Sequence, residues 1–190
     1  RAMSGYKNYF EGHGEFCVSA SSEISTVRAV WKAFDKLLDV STSDNTWTIE
    51  SNTNYNGTDN TYNSTVDQPP HHLGEGAVNG EWIKLELPYK INLEYMKLNT
   101  RAPNDLSRIP EDFKVYGSND NSNWTELISV TGRTTVFETI HNVHTDSMYK
   151  YFGLVVTKIS GQNNYFRILE LRYFGTREQG QSVLHDGQLT

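Results

Sequence analysis

His71 and His72 stand directly behind Pro69-Pro70 in a long polar stretch. Neighbouring side chains on an extended backbone point to opposite sides, so the two imidazoles do not chelate one metal together. A zinc site would need further His or Cys at suitable spacing. The pair is read as solvated loop residues or as the source of one ligand-contacting imidazole. Gly74-Glu-Gly-Ala-Val-Asn-Gly80 is superficially similar to a phosphate loop. Its glycine spacing is wrong, however, and it precedes a strand instead of joining a strand to a helix. No GxSxG elbow, Walker lysine loop or HExxH occurs. Carboxylate pairs for glycoside hydrolysis are assembled from distant positions, and nothing singles one out here. The lone Cys17, in Phe16-Cys-Val-Ser-Ala20, reads as a small buried hydrophobe and leaves no intrachain disulfide from which to read a compartment. Three sequons, at Asn56, Asn63 and Asn123, permit glycosylation if the chain enters a secretory pathway.

The elements that would position a binding site are mostly strands. The 190 residues are 36% hydrophobic and 12% aromatic, enough for a folded domain with a sizeable core. The formal net charge of -6 disfavours nucleic acid, whose affinity comes from phosphate neutralisation. No apolar run approaches the roughly 18 to 20 residues of a membrane span, so no transmembrane segment is expected. Apolar residues alternate in short runs bounded by Gly, Asn, Asp, Ser and Pro. The clearest is Glu81-Trp-Ile-Lys-Leu-Glu-Leu87, with Ile83, Leu85 and Leu87 on one face. Further runs span 91–100, 113–117, 124–130, 135–140, 151–157 and 166–174, a spacing that predicts an all-β antiparallel sandwich or jelly roll. One short helix is expected over Thr26 to Phe34, where Val27, Val30, Trp31 and Phe34 recur at intervals of three and four. The segment from Ser51 to Gly80 is a long loop and therefore a candidate functional one. Residues 1–13 read as an N-terminal extension at the front of an excised piece, 14–175 as the sandwich, and 176–190 as a linker or lead-in to another module.

Four separated segments, in order, resemble the discoidin domain, the coagulation factor V/VIII type C fold that includes family 32 carbohydrate-binding modules. They are Phe16 to Glu23 with Ala33-Phe-Asp35 and Trp47; Gly80-Glu-Trp-Ile-Lys-Leu-Glu-Leu-Pro88; Arg108 with Phe113-Lys-Val-Tyr116, Ser118-Asn-Asp120 and Trp124; and Tyr149 to Val156 with Ile168 to Gly175. The long 51–80 loop and the missing terminal disulfide depart from the animal members. They shift the analogy towards microbial or viral versions.

The resemblance implies a galactose-binding-domain-like jelly roll whose loops at one end hold ligand. It implies a structural Ca²⁺ between Asp35 and Glu170, with Asp39 and Thr42 as further candidates among the residues of the 36–46 loop. It also implies a sugar site at His71 or His72, at Arg101 with Asn104, and at Tyr165, with Tyr55 and Tyr62 extending the aromatic platform. The function expected is non-catalytic glycan binding, as one module of a larger secreted, adhesin-like or viral surface protein. Its location would be extracellular, on a cell or virion surface. The alternative is a protein-interaction or assembly domain of the same fold, docking through apolar residues such as Leu37, Leu38 and Val40. In Phe113 to Leu127 the amide-rich turn is expected to be structural, its side chains bonding their own backbone.

Overall fold

The computed structural model describes residues 2–50, 54–55, 57–63, 71–133, 137–161 and 164–178. Ten antiparallel strands follow in chain order: β1 (Lys7–Phe10), β2 (Gly14–Ala20), β3 (Trp47–Thr48), β4 (Glu81–Asn99), β5 (Pro110–Ser118), β6 (Thr125–Val130), β7 (Glu138–Asn142), β8 (Tyr149–Ile159), β9 (Arg167–Ile168) and β10 (Glu170–Arg177). The all-β sandwich expected from the alternation is what forms.

The long strand β4 organises the molecule. Its first half pairs with β2 and β8, its second half with β10 and β7, and the register to β8 breaks between Glu86 and Ile91. Pro88 sits at that break. It has no N–H to donate to a ladder and so marks the corner where β4 passes from one layer to the other. In the first half Ile83, Leu85 and Leu87 are buried while Lys84 and Glu86 face outward. In the second half the inward set slips from Ile91 and Leu93 to Met96 and Leu98. A bulge opposite Phe174/Gly175 inserts the extra residue that causes the slip.

Trp47, Phe113, Phe152 and Phe166 lie fully buried between the layers. Each such side chain contributes roughly 1.5–3 kcal/mol by leaving water.

The segment expected as one helix forms two 3₁₀ turns, Thr26–Arg28 and Val30–Phe34, with Ala29 extended between them at ψ 160°. A β-branched residue on each side of Ala29 and a run of only nine residues leave little to hold a continuous α-helix. Residues read as an N-terminal extension join the fold. Lys7–Phe10 pairs with β2, and Met3 is buried with its backbone N–H on the Phe34 carbonyl at 2.9 Å.

The amide-rich turn is used internally. Asp120 Oδ1 accepts from the backbone N–H groups of Ser122 and Asn123 at 2.9 and 2.8 Å, and Ser118 Oγ accepts from that of Asn121 at 3.0 Å. Gly76, at φ 85°, lies against the Trp124 carbonyl so closely that a Cβ there would collide with it. Gly74 and Gly76 thus serve packing on Trp124, and Gly80 lies against Val155 and Val156.

Candidate functional site

Both termini of β4 lie at the same end of the sandwich. Glu81 pairs with Val156 and Asn99 with Glu170. The chain joining Ile159 to Glu170 is stitched across that end by Ser160 N–H to the Ile109 carbonyl and Arg167 N–H to the Arg108 carbonyl, each 2.9 Å. Residues 36–46, 54–55, 57–63, 101–109, 160–161 and 164–166 gather there, with the His71 and Gly80 ends of the 71–80 loop.

Arg101 and Asn104, carried by the loop after β4, converge on one acceptor. The Val40 carbonyl receives Arg101 Nη2 at 2.9 Å and Asn104 Nδ2 at 3.1 Å. Behind them lies Asp105, a buried carboxylate whose oxygens meet Arg101 Nη1 at 3.6 Å, Arg108 Nη1 at 3.0 Å and Arg167 Nη1. Arg101 is held below its usual value by burial and then by the neighbouring Arg167. Tyr165 belongs to the same cluster, with the Arg108 and Arg167 guanidinium carbons 4.8 and 5.2 Å from its ring centre. Its hydroxyl accepts from Arg167 at 3.4 Å. Three guanidiniums against one carboxylate leave the cluster cationic, with Asn104 exposed and Tyr165 partly so.

The histidines separate, as adjacent residues on an extended backbone must. His72 turns back to the Ala77 carbonyl at 2.9 Å. His71 is partly buried with Nδ1 3.0 Å from Glu81 Oε1. Glu81 shares the inward parity of Ile83, and its fully buried carboxylate also receives Ser21, Ser22 Oγ at 2.9 Å and Asn54 Nδ2 at 3.1 Å. Burial pushes this carboxyl up, but His71, Ser21 and Ser22 together hold it below the usual carboxylate range.

Tyr55, expected to extend an aromatic platform, is only 2% exposed. It donates its hydroxyl to the Val156 carbonyl at 3.0 Å and packs edge-on against Phe166 and Tyr62. It belongs to the core beneath the loops, because its ring completes the cluster around Trp47 and Phe166. Tyr62 is partly buried beside it and accepts from His71 N–H at 3.0 Å. Arg101 and Asn104 therefore meet on the Val40 carbonyl, and Tyr165 joins them through Arg108, Arg167 and Asp105. His71 is linked towards them through Tyr62, Tyr55 and Phe166. Asp105, Arg108 and Arg167 knit the site together; Arg108 was visible only as a family motif residue, and Asp105 could have been noticed four residues after Arg101.

The residues expected to hold calcium divide in two. Asp35 and Glu170 are both buried, and Asp35 Oδ2 has no hydrogen-bond partner among the described residues. Burial pushes Glu170 up to about 7, against the opposing pull of Lys36 N–H and Arg172. Two hard carboxylate donors fit calcium, with loop carbonyls needed for the rest of a six- to eight-oxygen shell. One Glu170 oxygen already accepts Lys36 N–H at 2.9 Å. Asp39 and Thr42 are spent on their own loop, accepting from the backbone N–H groups of Ser41 at 2.8 Å and Asp44 at 3.2 Å. No group of three or more His, Cys, Asp or Glu arranged for a metal occurs among the described residues.

No family model matches the chain, and no curated protein matches it. Solved structures do. The family 32 carbohydrate-binding module of Clostridium perfringens NanJ, in complex with galactose, is 13% identical with a TM-score of 0.57 over 83% of this chain and 92% of that one. A family 32 module from a family 31 glycoside hydrolase of Clostridium perfringens is 20% identical with a TM-score of 0.59, over 83% and 88% of the two chains. The lectin domain of lectinolysin, complexed with Lewis B antigen, is 15% identical with a TM-score of 0.57, over 84% and 92%. At these identities the likeness is one of architecture: the chain has the β-sandwich fold of the family 32 carbohydrate-binding modules.

Proposed function

We propose that this protein is a non-catalytic glycan-binding module whose ligand is held by the loops at the Arg101 end of the sandwich. The observation that carries the reading is the convergence of Arg101, Asn104 and Tyr165 on one rim. A guanidinium and an amide are the donors that read sugar hydroxyls, and an aromatic edge packs on the apolar face of a pyranose. His71, positioned by Glu81, and Tyr62 border the same end. Asp35 and Glu170 would hold a structural Ca²⁺ beside the 36–46 loop, which supplies the Val40 carbonyl that ties Arg101 in place. Binding of surface glycans places the module in a larger extracellular, cell-surface or virion-surface protein. No described helix is long and apolar enough to cross a membrane.

A glycan array, followed by isothermal titration with galactose- and hexosamine-type sugars, tests this with calcium present. Saturable binding that falls at least tenfold in Arg101→Ala and Tyr165→Ala is expected. No binding above background, or binding indifferent to both variants, would overturn the reading.

A second reading has a specific observation behind it. Leu37, Leu38 and Leu106 are 47, 39 and 47% exposed and sit on loops of the same end. An assembly domain would dock a partner protein on such a surface. In that case, Leu37→Asp with Leu38→Asp would abolish partner binding and leave sugar titrations unchanged.

A further inference from the structure

A cavity of about 590 Å³ runs along β10, from Lys36 and Glu170 to the β1–β2 hairpin and Tyr89. Its volume falls within the ordinary range for small-ligand pockets, roughly 300–1,000 Å³. Its floor is buried and apolar, formed by Met3, Phe34, Leu87 and Leu171. One wall is aromatic: Phe10, Phe16 and Tyr89 contact one another edge to face, with ring centres 5.4 and 6.0 Å apart. Arg177, exposed at the last residue of β10, has no carboxylate within ion-pair distance among the described residues, while Lys36, Arg172 and the buried Glu170 line the other end, where β10 begins. Arg177 lies over the Tyr89 ring at 3.9 Å, so its charge is held at the mouth. On the lining, Tyr173 has a buried hydroxyl with no hydrogen-bond partner among the described residues. A largely apolar floor and aromatic wall with an unpaired guanidinium at one end and a spare hydroxyl on the lining are unusual in a chain of net charge -6.

We propose that this cavity is a second binding site, for a monomeric amphipathic anion: an alkyl chain of medium length ending in a carboxylate. The head-group carboxylate would pair with Arg177 beside Tyr89, and the chain would run from there along the Phe10–Phe16–Tyr89 wall. The apolar walls hold water poorly, whereas hydrocarbon leaves water on entering them. The unpaired Arg177 guanidinium selects the sign of the head group, because a charge-assisted contact to Arg is stronger than a neutral one. Neutral sugars meet neither requirement, so the site is independent of the rim around Arg101.

The test is isothermal titration of the full chain with dodecanoate below its micellar concentration, beside acetate and dodecyltrimethylammonium. One saturable site per chain is expected for dodecanoate and none for the other two. Arg177→Gln should weaken dodecanoate about tenfold, the loss of one charge-assisted contact, with an unchanged thermal melt. Leu87→Trp, which fills the floor, should abolish binding while sugar titrations serve as the check that the variant folds. The proposal is overturned by absence of saturable dodecanoate binding, by equal binding of the cationic amphiphile, or by a Kd untouched in Arg177→Gln. It is also overturned if the chain sediments as a dimer that dodecanoate dissociates, since a second copy would then be the natural cover of the cavity.

Discussion

Asp105 is the residue on which the rim depends. Its carboxylate is 5% exposed and faces three guanidiniums, so it is the counter-charge that lets Arg101, Arg108 and Arg167 lie together. Removing one member of a buried charged group leaves the others uncompensated, at a cost of about 3–5 kcal/mol. Asp105→Asn is therefore expected to lower stability in denaturant melts by about that much and to weaken any ligand held through Arg101. A loss below about 0.5 kcal/mol would show instead that solvent screens the cluster. His141 carries a pH signature of its own. Burial, and after it the nearby Arg133, push its imidazole down to about 4. Below the ordinary value of 6.5 the unfolded chain takes up a proton that the folded chain refuses. Stability is therefore full above about pH 6.5 and falls as pH drops towards 4. With the ring partly exposed, the loss is discounted to about 1–2 kcal/mol. Chemical denaturation at pH 7 and pH 4.5 measures it, and His141→Gln should remove that part of the difference. Neither role was legible from sequence, because a charge centre and a buried imidazole are defined by neighbours as far as 62 and 28 residues away, not by local pattern.

Among the elements, strands were the legible part and their partners were not. The alternation of Ile83, Leu85 and Leu87 identifies the inward face of β4, and by the same parity it points Glu81 inward. That carboxylate is tolerated because Ser21, Ser22, Asn54 and His71 satisfy it, a set drawn from three other segments. The slip of parity at Glu94 was hidden, since a bulge depends on the opposing strand β10. The 3₁₀ turns defeated the helical pattern for a related reason: spacings of three and four fit either helix, and the tertiary contacts of Val30, Ala33 and Phe34 decide between them. The loop of residues 71–80 tests how far packing fixes a flexible composition. Gly76 combines a positive φ of 85° with carbonyl contact from Trp124, so Gly76→Ala suffers both strain and collision. A destabilisation of about 2–4 kcal/mol by thermal melt is expected, whereas Gly12→Ala, where nothing lies within 4 Å, should show only the conformational part. Equal losses at the two glycines would mean that the Trp124 contact carries no weight.

For the whole molecule, the two ends of the sandwich are energetically separable, and the N-terminal hairpin is the place to show it. Met3 is buried against the core, β1 adds a paired edge to β2, and the hairpin turn touches the β4 corner at Pro88. The rim loops meet at the opposite end, around Glu81 and Asn99. Deleting residues 1–13 exposes Met3's share of the core and the edge of β2, for a loss of about 3 kcal/mol from one buried side chain and the cross-strand pairs. For a chain of this size each kcal/mol moves the melting midpoint by about 2–4 °C, so a fall of about 6–12 °C is expected by calorimetry. The same deletion removes Phe10 and His13 from the wall of the apolar cavity. Sugar affinity should stay within about twofold, because Arg101, Asn104 and Tyr165 take their contacts from Val40, Asp105, Arg108 and Arg167, whereas dodecanoate binding should disappear. Loss of both ligands together, in a deletion that still melts cooperatively, would mean that the ends are coupled through β4 and that the corner at Pro88 transmits the change.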